Sequence, residues 1–328
     1  PQPFPELREA PSLLWTGEEV LLFGGSVEGR SISSGGAYDP STDSWRLISN
    51  YWRDDPLGER RPAIFIAEHS TVWTGAEMIV WGGVHRRVGD APINRGWRYE
   101  PLSGGWRITG TGSGIDEDFN ILPDLDPLAP APRREPLAVW SGSELIVWGG
   151  EGESGAPLQD GGLYDPVSNS WRAMSNLGSP EPGALKSFAH LHRDHMLVWN
   201  GGSEARAPAA VRTVEMHRYS TASDGWQPST AGWEPSFTGA AFEVVQADDR
   251  LIAVGVTRTT GRYELEGWVQ TQTISAYEYD PAADSWRRGG EIQVEGLSAE
   301  PASFEAVWAD GLLLLFVGSE LLIYDPED

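Results

Sequence analysis

The chain of 328 residues contains no cysteine. That absence excludes a disulfide framework, a thiolate metal centre and a cysteine nucleophile. Lysine is almost as scarce: the 24 cations are one lysine, Lys186, and 23 arginines, against 48 acidic residues and a formal charge of −24. A surface that acidic repels phosphate backbones and anionic lipid, so nucleic acid is not an expected partner. Long apolar runs are also missing. The longest, residues 312–317, falls far short of the roughly 18 to 20 residues that a membrane-spanning helix needs, so a soluble protein without membrane insertion is expected. Pro1 in place of a methionine reads as a processed or trimmed N-terminus. Long stretches with helical apolar spacing are absent as well, which leaves short strands joined by turns as the natural expectation.

What the chain does have is glycine, 39 residues, proline, 24, and a repeat. Tyrosine and tryptophan recur with six residues between them at Tyr38/Trp45, Tyr99/Trp106, Tyr164/Trp171, Tyr219/Trp226 and Tyr279/Trp286, and Tyr324 opens a sixth copy. Before each lies an apolar run, a small polar turn, a second apolar run and then small residues: 13–25, 71–83, 138–150, 189–202, 244–256 and 306–318. Each copy thus holds four strand candidates, A and B in the hairpin, C ending at the tyrosine, D starting at the tryptophan. Continuous apolar character in A and B indicates a sheet buried on both faces, as when blades stack on blades. The pattern predicts an all-β fold, a six-bladed β-propeller with four-stranded blades, formed as one domain by residues 1–328. Blade boundaries fall at about 8–49, 60–110, 133–177, 186–230, 239–290 and 302–328. The last blade ends before its D strand, and residues 1–7, with Phe4 in place of a tryptophan, are the donor expected to complete it.

Chain geometry sorts the connections. A-to-B and C-to-D turns fall at one end of the blades and are short. The B-to-C segments 26–36, 84–96, 151–162, 203–215 and 257–273 fall at the other end, with connections such as 51–68 and 110–134, and are long and varied. Varied loops on a rigid scaffold are where function is expected. Of 16 tryptophans, twelve occupy repeat positions and read as core. Trp97 lies in a C strand, whereas Trp52, Trp233 and Trp268 fall in long segments, where a large apolar ring either packs under its loop or meets a ligand. Glu243 and Glu305 share one register in the A strands of blades five and six, where the other blades have Ser12, Ser70, Leu137 and Phe188. Two carboxylates there suit a cation, a shared proton or sugar hydroxyls. The histidines His190, His192 and His195 read as a surface turn rather than a zinc site. Asp116, Asp118 and Asn120 open like a calcium loop but lack its central glycine and closing glutamate.

The glycine pair after strand B, the Tyr-Asp-Pro turn (Tyr38-Asp39-Pro40, Tyr164-Asp165-Pro166) and the D-strand tryptophan together resemble the kelch-repeat propellers over nearly the whole chain. One group with such a propeller, that of galactose oxidase, needs a tyrosine crosslinked to cysteine, which this sequence cannot supply. Bacterial sialic acid mutarotases also look like six-bladed kelch proteins. Their Gly-Glu and Arg-Thr pairs are similar to Gly202-Ser203-Glu204 and Arg212-Thr213 here, and the resemblance implies Glu204 as proton-transfer group and Arg212 as carboxylate anchor.

The expected function is a non-catalytic ligand-binding or interaction propeller. Its ligand, a glycan, peptide or small polar molecule, enters the funnel at the long-loop face and meets Trp52, Trp233, Trp268, Glu243 and Glu305. The first alternative is a sugar mutarotase or related acid/base enzyme using Glu204 and Arg212, and the second is a structural module of a cell-surface assembly. No cofactor or metal is expected. A monomer is expected, in the periplasm or outside the cell rather than in the cytoplasm.

Overall fold

A computed structural model describes residues 8, 11–28, 30–32, 34–48, 66–84, 91–110, 123–181, 185–192, 194–201, 215–228, 242–247, 250–264, 267–280, 283, 285–295, 304–309, 311–317 and 320–324. All regular structure among them is β-strand. The chain divides into two compact units, Pro1–Ser229 and Thr230–Asp328.

The first unit holds four sheets. Blade one comprises β1 (Ser12–Trp15), β2 (Val20–Phe23), a small hairpin of β3 (Ser26–Val27) and β4 (Arg30–Ser31), then β5 (Gly35–Asp39) and β6 (Ser44–Ile48). Blade two comprises β7 (Ser70–Trp73), β8 (Met78–Trp81), β9 (Gly96–Glu100) and β10 (Gly105–Ile108). Blade three has β11 (Leu137–Trp140), β12 (Leu145–Trp148), β13 (Gly161–Asp165) and β14 (Ser170–Ala173). Blade four has β15 (Leu185–His192), β16 (His195–Gly201), β17 (Glu215–Ser220) and β18 (Gly225–Pro228). Apart from the small β3–β4 hairpin of blade one, every sheet is an antiparallel meander in the order A-B-C-D, and the innermost strands β1, β7, β11 and β15 are successive neighbours.

The second unit holds blade five, β19 (Phe242–Ala247), β20 (Arg250–Glu264), β21 (Gly267–Asp280) and β22 (Ser285–Glu295), and blade six, β23 (Phe304–Ala309), β24 (Leu312–Val317) and β25 (Glu320–Tyr324). Here β19 and β23 are neighbours. The fold class is the six-bladed β-propeller, with four strands in each of blades one to five and three in blade six among the described residues. The suggested strand donor, residues 1–7, lies outside the described residues.

Alternation explains why the B strands are apolar throughout. Met78 and Val80 of β8 join Leu21, Phe23 and Ala37 of blade one in one core, while Ile79 and Trp81 join Leu145, Val147, Tyr164 and Trp171 of blade three in the next. Each B strand is therefore buried on both faces. The same arrangement packs Ile146 and Trp148 against Met196, Val198 and Trp226, and in the second unit Ile252 and Val254 share a core with Leu313 and Leu315. D-strand tryptophans Trp106, Trp171 and Trp226 belong to the three cores of the first unit, and they and Trp286 are buried, each tilted against the tyrosine of its own blade. Not all twelve repeat tryptophans are core, however. Trp45, Trp15, Trp73 and Trp140 are only half-buried. The last three end their A strands beside the exposed A-to-B turn, where the sheets no longer cover them.

Candidate functional site

Strand pairing fixes the register at which the A strands begin. Ser12 faces Phe23, Ser70 faces Trp81, Leu137 faces Trp148 and Phe188 faces Trp199; in the second unit Glu243 faces Val254 and Glu305 faces Phe316. Glu243 and Glu305 thus hold equivalent places on the neighbouring strands β19 and β23. Glu243 is half-buried.

In the first unit the same register stitches one blade to the next. Ser12 Oγ lies 3.1 Å from His69 Nε2, and Ser70 Oγ donates to the carbonyl oxygen of Pro136. The imidazole of His69 packs edge-on to Phe23, and a side chain on Gly24 would collide with it at 2.4 Å. Burial holds the His69 pKa down at about 4, and Nδ1 is buried with no hydrogen-bond partner among the described residues. A Ser–His pair invites a nucleophilic reading, but a base needs a proton affinity matched to neutral pH and a third group to orient it. His69 has neither, so the pair is a structural stitch.

Buried guanidinium groups pin the loop end of these sheets. Arg133, fully buried, donates to the carbonyl oxygens of Gly149 and Asp160, both at 2.9 Å, and to Asp160 Oδ1 at 2.7 Å. Arg8 serves blade one in the same way, through the carbonyls of Gly24 and Ser34. Arg95, also fully buried, donates to the carbonyl oxygens of Thr109 and Pro123. Desolvation lowers the pKa of Arg95 and Arg133, opposed in each case by a nearby aspartate, Asp124 and Asp160. These cations serve the backbone and are not presented to a ligand.

Blade five departs from the expected plan. Residues 257–273 are not a loop: β20 and β21 continue as one long hairpin as far as Glu264 opposite Gly267. Trp268 accordingly stands in a strand, at the position facing Tyr263. Trp52, Trp233, Glu204 and Arg212 lie outside the described residues, as do Asp116, Asp118 and Asn120. His192 and His195 face each other across the A-to-B turn of blade four, and His195 Nδ1 lies 2.7 Å from Asp194. No group of three or more potential metal ligands occurs among the described residues.

The short-turn end carries a device that the repeat reading missed. Glu19, Glu77 and Glu144 each stand three residues after a Thr or Ser whose hydroxyl caps the turn, at 2.9, 3.0 and 2.9 Å from the glutamate N–H. Each carboxylate then takes an arginine from an outer strand: Arg46 on Glu19, Arg98 on Glu77, Arg172 on Glu144. The hydrogen bond to the carboxylate raises the pKa of Arg46 and Arg172 above its ordinary value. The signal was legible as Thr-Gly-x-Glu or Ser-Gly-x-Glu, with Arg following the D-strand tryptophan in blades one and three. A second device joins blades: Asn169 Oδ1 accepts from Gly110 N and Asp224 Oδ1 from Ser175 N, while each also takes the hydroxyl of its own tyrosine, Tyr164 or Tyr219. Burial pushes the Tyr164 hydroxyl up to about 12. The chain matches no protein-family model, and no curated protein is found to be related to it.

Proposed function

We propose that the protein is a non-catalytic ligand-binding or interaction propeller of the kelch type, a single domain whose ligand is held at the loop end of the blades. The observation that carries this reading is the asymmetry of the sheets. At one end, short turns are tied down by capped Glu–Arg pairs; at the other, long segments of differing length leave rigid strands. Variation on a fixed scaffold is the arrangement in which binding sites are built. Glu243 and Glu305, on adjacent strands at that end, supply acceptors for the hydroxyls or amines of a glycan, peptide or small polar molecule. Trp268, Trp52 and Trp233 are the aromatic surfaces assigned to the same ligand.

A screen of glycans and peptides by calorimetry tests the proposal. The double variant Glu243→Gln, Glu305→Gln is expected to weaken the best ligand by about tenfold or more, the scale of one lost hydrogen bond to a charged group, with little change in melting temperature. Binding equal to wild type removes the assigned residues, and a screen without a ligand removes the reading. The acid/base alternative on Glu204 and Arg212 rests on sequence spacing. Sialic acid anomer exchange followed by NMR addresses it directly, since no acceleration by the protein leaves it without support. A structural role in a cell-surface assembly predicts neither ligand nor turnover.

A further inference from the structure

At the short-turn end of the first unit a cleft of about 520 Å³ opens between blades two and three. One wall is the indole of Trp140, which packs against the core containing Val72, Ile79 and Leu145 yet stays half-exposed. Its N–H donates to no acceptor among the described residues, whereas the indoles of Trp171 and Trp226 donate to Asp124 and to the carbonyl oxygen of Ser175. The rim is apolar: Val167, beside Pro166, is 93% exposed. Two carboxylates, Glu144 and Asp165, face the space, with Arg172 behind the first and Arg98 near the second, where it donates to the Pro166 carbonyl oxygen at 2.8 Å. Arg172 donates to both carboxylate oxygens of Glu144, at 2.7 and 2.8 Å. Asp165 accepts from the Ser168 hydroxyl and the Val167 N–H, which lower its pKa.

An aromatic face beside anionic groups, open to solvent and edged by apolar side chains, matches a flat cation on an aliphatic stem. A guanidinium stacks on indole, keeps its charge at any working pH, and carries N–H donors that suit carboxylates. Val167 and Pro166 offer apolar contact to the stem. The net charge of −24 draws a cationic surface toward the protein before contact. We propose that this cleft receives the arginine side chain of a partner protein. The cleft shares no residue with the proposed ligand site and stands or falls independently of it.

The test follows the tryptophan indole resonances of labelled protein during titration with N-acetyl-argininamide and with its uncharged isostere, N-acetyl-citrullinamide. The Trp140 resonance, identified by its loss in Trp140→Phe, is expected to shift saturably with the arginine probe, several-fold less with the citrulline probe, and less at high salt. Val167→Lys sets a competing ammonium at the rim. Because Val167 is exposed, that variant should melt as wild type does while losing the response, and it keeps the test open if Trp140→Phe fails to fold. No saturable shift, equal shifts with the two probes, or a full response in Val167→Lys would each overturn the proposal.

Discussion

Blades three and five begin with the same A-to-B hairpin and part where strand B ends. In blade three Trp148 is followed by Gly149 and Gly150, with φ of +63° and +84°. Gly149 N donates to the Asp160 carbonyl, Arg133 takes the carbonyls of Gly149 and Asp160, and the strand stops. In blade five the corresponding pair is Gly255 and Val256. Val256 is buried opposite Ile274, the register shifts by one residue, and β20 runs on to Glu264. Strand length in these blades therefore depends on the pair that follows the apolar run rather than on the run itself. Two glycines admit left-handed φ and turn the chain aside, while a β-branched residue favours extension.

The largest expected effect comes from breaking the turn. In Gly150→Val the new Cβ would lie 2.6 Å from the Arg134 carbonyl oxygen and 3.0 Å from Pro136, at a φ that β-branched residues resist. A loss of about 3 kcal/mol or more in chemical denaturation is expected, from strain and collision together. The reciprocal change, Val256→Gly, should cost about 2 kcal/mol through lost burial and added chain entropy. If Gly150→Val costs less than Val256→Gly, the glycine pair is not what ends strand B.

The blade sheets were legible in the sequence because the Tyr-x6-Trp element and the paired apolar runs repeat at a near-constant spacing, and core positions follow from alternation. The arm of blade five was missed because alignment on the other blades carried their loops onto it. Its own residues, Thr257, Thr259, Thr260, Tyr263, Trp268, Val269 and Thr271, are β-branched or aromatic and indicate strand. The Glu243 and Glu305 register was readable from the A strands. The stitch at His69 was not, because a histidine before a strand says nothing about the neighbouring blade whose glycine makes room for it.

That stitch provides the next expected effect. His69 precedes the A strand of blade two, where blades five and six have Phe242 and Phe304. Its pKa falls from an ordinary 6.5 to about 4 on folding because burial disfavours the charged form. Above pH 6.5 both folded and unfolded states are neutral and the contribution is complete; between 6.5 and 4 only the unfolded state takes up a proton, so stability falls with pH. The full loss is about 3 kcal/mol at most, and less to the extent that the half-buried ring is reached by water. Other groups of the protein titrate over the same range, and the ion pair of Glu68 with Arg134 adjoins the site, so the quantity to measure is a difference. His69→Phe, the residue of blades five and six, should lower the melting temperature less than wild type is lowered between pH 7 and pH 4.5. Parallel acid losses in the two proteins would mean that His69 does not titrate between those states.

The smallest expected effect on stability is at the arm itself. Among the described residues the last rung to β22 joins Thr271 to Glu295, and beyond it β20 and β21 go on as a pair with Thr259, Thr260 and Arg262 exposed. A two-stranded ribbon in water is marginal, so it adds little to the unit that carries it. Ile292 and Val294, which pack on the core shared with blade six, sit below that rung and stay in place when the ribbon is removed. Replacing residues 261–270 by Asn-Gly, a two-residue turn that joins the paired Thr260 and Thr271, should therefore change unfolding free energy by less than about 1 kcal/mol. The same deletion removes Trp268, so any ligand found in the screen should lose affinity while the melting curve holds. A large fall in stability would instead make the arm part of the packed structure, and the contrast between a blade that stops at its glycines and one that extends past that point as a free ribbon would fail.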